Sequence, residues 1–286
     1  MFIAIQKILY HLSYKNNIYL YKLQKISLLL VTFAVDTKND YICSMKNQTT
    51  YSYQVATQNV DFTLRATIES LGNYILNTAG IDAQGKGFGV DALAPQNLTW
   101  VLSKFVIEID SRPEQFADFN LTTWVNQNTR LVSTRNFTIS DKSGNLFCRS
   151  LSQWCMLDFV RRAPVNLETI EELYNPYICP EPSPCEQPLR LRAIEPDVVS
   201  EHKVVYSDID FNRHVNTLRY VDLIFDNVPL ELIEQNRGLR IDLNFIAEAL
   251  YGETLTIGWV REGNVWSFEI SSTPTKVLCR AKVEFK

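Results

Sequence analysis

The stretch YSDIDFNRHVNTLRYVDLIFD, Tyr206 to Asp226, changes character halfway along. Its first half sets Asp210, Asn212 and His214 at alternate positions. Its second half repeats apolar residues at Leu218, Val221 and Phe225, the three-and-four spacing of a helix with one apolar face. Pro229 is a natural stop. GLRIDLNFIAEALYGETLTIGWVREG (Gly238–Gly263) and NVWSFEISSTPTKVLCRAKVEFK (Asn264–Lys286) then read as long strands. In the last of these Val283 and Phe285 share one face while Lys282 and Glu284 share the other.

The same order occurs earlier in the chain. ATIESLGNYILNTAGI (Ala66–Ile81) has an apolar stripe at Leu71, Ile75 and Ala79, with Gly80 as a stop. Strand-like TWVLSKFVIEIDSRP, FNLTTWVN and TRLVSTRNFTISDKSGNLFCRSLSQWCML follow. Two small matches mark the repeat: Cys148-Arg149-Ser150 against Cys279-Arg280-Ala281, and Trp124-Val125 against Trp259-Val260. Periodicity alone therefore predicts an α+β protein of two repeats. The proline-rich stretch 166–196 reads as a linker on the surface. Ala79 to Asn97, with Gly85, Gly87 and Gly89, reads as a mobile lip.

Bulk properties narrow the function. The chain has 286 residues, 46% of them hydrophobic and 21% charged, enough for one large core or two ordinary ones. A net charge of −4 argues against a broad nucleic-acid surface. The six cysteines have no metal-ligand spacing. Cys179 and Cys185 bracket CPEPSPC, expected to be a reduced loop, since nothing else points to secretion. His11 and His202 have no partners that suggest a site, and Trp100, Trp124 and Trp154 are expected in the core. Residues 1–44 contain no arginine, and their apolar run Ile26 to Val35 is too short to span a bilayer. They are expected to be an extension outside the working protein, which would begin at Met45.

SDIDFNRHVNTLRYVDLI resembles the signature of acyl-(acyl carrier protein) thioesterases, in which Asp, Asn and His at alternate positions precede a Val-Asn pair and a helix. LGNYILNTAG, WVLSKFVIEI, TTWVNQNTRLVSTRNFTISDKSGN and SQWCMLDFVRRAP are similar, in order, to that family's first half. FIAEALYGETL resembles the strand that carries its glutamate, with a spacing closer to the bacterial than to the plant branch. The resemblance covers Tyr51 to Lys286. It implies two tandem hot-dog folds forming an internal pseudo-dimer, each a long helix wrapped by a curved antiparallel sheet. Residues 45–165 would bind the acyl chain, 166–196 would link, and 197–286 would carry the chemistry. The first half reads NVDFTLRATIES where the second has its Asp-Asn-His loop, with no histidine.

The implied reaction is hydrolysis of fatty acyl-(acyl carrier protein), in the cytoplasm, during fatty acid synthesis. It needs neither metal nor cofactor, only a nucleophile, a proton acceptor and donors for an oxyanion. The resemblance assigns Glu248 as base or nucleophile and His214 as its orienting partner. Asn212 would donate to the carbonyl or the water, and Asp210 would hold the loop. An extended loop would put Asp210, Asn212 and His214 on one face, with His214 at or near the helix start, whose positive end would suit an oxyanion. Ala249 stands where plant relatives often have a cysteine, so a thiol nucleophile is unsupported. The partner the resemblance implies is the acyl carrier protein. Arg161-Arg162 reads most simply as a solvated pair, and as part of a patch with Arg190, Arg192, Arg213 or Arg219 it would steer that acidic partner. Neither nucleic acid nor stable membrane insertion is expected, and a homodimer is left open. An acyl-CoA thioesterase and a non-catalytic acyl-binding protein are the alternatives.

Overall fold

The computed structural model of the chain describes residues 47–286; residues 1–44, expected to be an extension, and His11 within them lie outside that range. The first half contains β1 (Thr49–Gln54), helix α1 (Ile68–Gly85), β2 (Leu98–Ile109), β3 (Asp118–Asn128), β4 (Ser133–Ser140) and β5 (Leu146–Asp158). The second contains β6 (Val198–Lys203), helices α2 (Arg219–Phe225) and α3 (Leu230–Glu234), β7 (Leu239–Phe245), β8 (Thr254–Glu262), β9 (Val265–Thr273) and β10 (Lys276–Phe285).

These strands form one antiparallel sheet in the order β1-β3-β4-β5-β2-β7-β10-β9-β8-β6. The order reads the same from both ends, once β1 is matched with β6 and β2 with β7. The halves join where β2 pairs β7, from Lys104 opposite Asn244 to Ile109 opposite Leu239. Pairing registers fix the repeat residue by residue. Gln54 faces Asp118 as Lys203 faces Thr254. Cys148 faces Ile139 on one side and Ile109 on the other, as Cys279 faces Ile270 and Phe245. The Cys-Arg pairs are thus true equivalents. The Trp-Val pairs are not, because Trp259 occupies the place of Thr123, one residue out of step. Trp124 consequently turns to the opposite face, where its indole donates to the Glu181 carbonyl at 3.4 Å.

Leu71, Ile75 and Ala79 of α1 are buried, as the spacing predicts. They pack in a core that also holds Phe105, Phe119, Phe137, Phe268 and Phe285. Thr67 caps α1, its hydroxyl accepting from the Ser70 amide at 2.9 Å. Gly80 does not end the helix, which runs on to Gly85; a single glycine costs a helix only about 1 kcal/mol. The second half lacks the single long helix expected. Pro229, with no amide hydrogen, separates α2 from α3. The helices of the two halves approach closely at Gly72, where a Cβ would lie 2.7 Å from Leu218 Cδ2.

The segment after α1 is packed rather than a free lip. Phe88 and Leu93 are buried in a second cluster with Val125, Met156, Leu167 and Tyr174. Gly89 is required there, since a Cβ would come within 2.7 Å of the Gln84 Cα. The proline-rich stretch is a strap along the sheet. The Leu189 amide donates to Asp242 Oδ1 at 2.9 Å, and Asn244 Nδ2 donates back to the Leu189 carbonyl at 3.0 Å. Its Cys179 and Cys185 are both free thiols. Among the described residues, no helix is long and apolar enough to cross a membrane.

Candidate active site

The loop before α2 is a tight turn, not the extended segment its alternation suggested. The Asp210 amide donates to the His214 carbonyl at 2.9 Å and the Arg213 amide to the Asp210 carbonyl at 3.0 Å. Arg213 takes a positive φ of 66° to close it. Asp210 Oδ1 accepts from the amides of Asn212 (2.8 Å) and His214 (3.2 Å), the carboxylate-to-backbone pattern that favours aspartate in turns. So one oxygen of Asp210 is spent on the backbone of the turn. The Val215 amide donates to the Ala249 carbonyl at 2.9 Å, tying the turn to the segment after β7.

That tie brings Glu248 to His214. His214 Nε2 stands 3.3 Å from Glu248 Oε2, with the side chains 32% and 55% exposed. Glu248 is therefore more solvated than the sequence suggested. His214 lies five residues before the first residue of α2. The Asn216 side chain caps the approach to that start, accepting from the Leu218 amide at 2.9 Å. The amides of Asn212 through Asn216 all donate to protein acceptors. The Asn212 side chain is exposed, and its amide has no hydrogen-bond partner among the described residues.

Beneath the turn lies a residue the sequence reading missed. Asp208 is buried, and its Oδ2 accepts from the Val205 amide at 2.8 Å and meets His202 Nε2 at 2.7 Å. Its Oδ1 accepts from Arg219 Nε at 2.8 Å, and its carbonyl accepts from the Asn216 amide at 2.7 Å. Burial raises the affinity of Asp208 for its proton. The Val205 amide, His202 and Arg219 together outweigh that and hold the carboxyl below the usual range. His202, expected to be structural or exposed and to have no partner that suggests a site, is a structural partner here and forms one wall of this anchor. Arg219 is committed as well, through Asp208 and through Asp222 at 3.0 Å.

The first half builds the same turn without a counterpart of the His214–Glu248 pair. The Asp61 amide donates to the Arg65 carbonyl at 3.0 Å, the Thr63 amide to Asp61 Oδ1 at 2.8 Å, and the Ala66 amide to the Pro113 carbonyl at 2.9 Å. Asp61, Thr63, Arg65 and Arg112 therefore occupy the places of Asp210, Asn212, His214 and Glu248. Arg65 pairs with Glu114 at 2.8 Å. Buried Arg112 binds Asp61 and the carbonyls of Ala66 (3.3 Å) and Ile233 (3.1 Å). A cation fills the glutamate's place, and no carboxylate–imidazole pair forms there.

The thiols offer no alternative nucleophile at this turn. Ala249 follows Glu248, and burial pushes the Cys279 and Cys148 thiols far above the ordinary cysteine range.

Residues 46–177 match the family model described as the acyl-ACP thioesterase N-terminal domain, and residues 191–286 match the C-terminal domain. The chain belongs to the acyl-ACP thioesterase family. A crystal structure of an acyl-ACP thioesterase from Bacteroides thetaiotaomicron is 35% identical, covering 84% of this chain and 98% of that one with a TM-score of 0.76. The 12:0-ACP thioesterase from Umbellularia californica reaches the same TM-score over 85% of this chain and 98% of its own. Its identity is 17%, so it speaks for the hot-dog fold alone. Among curated proteins, the chloroplastic oleoyl-acyl carrier protein thioesterase 2 of Arabidopsis thaliana is 25% identical over 246 residues, 79% of this chain and 64% of its own length. The chloroplastic palmitoyl-acyl carrier protein thioesterase of Gossypium hirsutum is 25% identical over 197 residues, 64% of this chain and 48% of its own. This chain thus spans about half to two-thirds of these curated relatives.

Proposed function

We propose that this protein hydrolyses fatty acyl-(acyl carrier protein) to free fatty acid and carrier protein, with Glu248 as general base. The observation that carries the reading is the His214–Glu248 pair, 3.3 Å apart in one half of a chain of this family and replaced by cations in the other. The 55% exposure of Glu248 favours water activation over direct attack, since a carboxylate nucleophile is best stripped of solvent. Glu248 takes a proton as the water oxygen bonds to the thioester carbon. The carbonyl electron pair moves onto oxygen, where the Asn212 side-chain amide donates to it. Collapse of this intermediate breaks the carbon–sulfur bond. The departing thiolate receives the proton held between Glu248 and His214. Asp210 acts through the backbone, fixing Asn212 and His214.

On this reading the halves divide the labour. Residues 197–286 carry the reaction, and residues 45–165 supply helix and sheet for the acyl tail. Free Cys179 and Cys185 suit a reducing compartment, in keeping with a cytoplasmic enzyme. The test is hydrolysis of matched acyl-carrier-protein and acyl-CoA panels by the purified protein. Release of fatty acid from the carrier-borne panel is expected. Tight acyl binding without release from either panel would overturn the proposal.

A further inference from the structure

The two halves share one turn scaffold, so each is a control for the other. Position by position, the surface around the turn differs in a consistent sense. The second half has Lys203, Tyr206, Arg213, Leu250 and Tyr251 where the first has Gln54, Thr57, Leu64, Glu114 and Gln115.

These residues form one rim. The Gly252 amide donates to the Val204 carbonyl at 3.1 Å and the Val204 amide to the Glu253 carbonyl at 2.9 Å, which sets Tyr251 beside the strand end that carries Lys203 and Tyr206. His214 bridges to Leu250, which places the rim next to the reacting pair. In the first half, Gln115 Nε2 donates to Thr57 Oγ1 at 3.1 Å, so the positions held by Tyr206 and Tyr251 face each other. Tyr206 is 89% exposed, Tyr251 69% and Leu250 48%, large apolar surface left in water. Lys203 and Arg213 are also exposed, and neither forms an ion pair among the described residues.

We infer that this rim is the docking surface for the carrier protein. The inference rests on the function proposed above. The acyl tail belongs in the interior, so the outer rim is left to the leaving side of the thioester. That side is an arm joined to the carrier through a phosphodiester, an anion that unpaired Lys203 and Arg213 complement. Tyrosines standing this far out of the surface suit a protein face rather than a thin arm alone. The first half, which lacks the reacting pair, also exposes apolar side chains at its turn, Phe62, Leu64 and Phe116. At the five matched positions, however, it has no tyrosine and no cation, and it sets an acidic residue, Glu114, in the place of Leu250.

The test grafts the surface of the inert half onto the active one: Lys203→Gln, Tyr206→Thr and Tyr251→Gln together. Turnover is measured on one acyl group carried by the carrier protein, by CoA and by N-acetylcysteamine. The expected result is a loss of kcat/KM on the carrier-borne substrate at least about tenfold larger than on the other two, in KM rather than kcat, with a weaker salt dependence. Equal losses on carrier and CoA substrates would assign the rim to the arm and overturn a protein-docking surface. Equal losses on all three, or no loss, would overturn it too. A wild-type protein inactive on every substrate would overturn the proposed function itself, whereas an active wild type with an unaffected graft would sink this inference alone.

Discussion

Arg112 and Glu248 occupy the same position in the two repeats, each one residue before the carbonyl that receives the amide following the turn. Glu248 reaches out to His214, whereas Arg112 turns inward to Asp61 and to the carbonyl of Ile233 beyond the repeat boundary. One scaffold thus carries a solvated carboxylate beside an imidazole in one half and a buried tie between halves in the other.

That tie has a measurable consequence. Arg112→Met leaves the Asp61 carboxylate largely buried without its cation. It should destabilise the protein by roughly 3 kcal/mol, the lower end for breaking such a pair. Asp61→Leu added to it should restore part of the loss, because both charges are then gone. Urea unfolding of the two variants checks this; equal stability of Arg112→Met and wild type would contradict it.

Acid sensitivity should follow from Asp208 and Asp82. Both carboxyls are held below the usual range, Asp82 by Arg135 and Lys86 against the opposing effect of burial. A carboxyl depressed in the folded state adds stability above its unfolded pKa, about 3.9, and loses it as pH falls through the folded value. The contribution of these two groups should therefore be flat from pH 7 to about 5, begin to fall near pH 4, and be gone only once the pH drops below their folded-state values. Melting curves across that range should show a smaller acid loss for Asp208→Asn than for wild type.

Cys279→Ala should retain turnover, since its thiol is buried and held protonated. Steady-state hydrolysis by the variant is the check. A fall of about a hundredfold or more, on the scale of a lost catalytic group, would return a thiol to the mechanism.

Much of this was legible in the sequence, and the misses share a cause. The repeat, the α1 stripe and the Cys-Arg equivalence follow from periodicity, which burial imposes on each element. Glu248 and His214 were legible through the family resemblance, and the structure brings them together. The backbone of the turn was not. Alternation at Asp210, Asn212 and His214 looks extended, but Asp210 closes a turn through Arg213 at positive φ, a choice set by local hydrogen bonds. Asp208 and His202 escaped because their pairing joins a strand to a turn. The broken second helix was marked by Pro229, which reads as an end rather than as an interruption.

On the proposed function, Glu248 and His214 together hydrolyse the thioester. The most direct measurement is single-turnover hydrolysis of acyl-(acyl carrier protein) by Glu248→Gln and His214→Ala, with circular dichroism on the same samples. Both side chains are partly exposed, so the fold should persist. Turnover should fall by at least about a hundredfold in each, the range for a lost general base or its partner. Folded variants that hydrolyse at near wild-type rates would contradict the account.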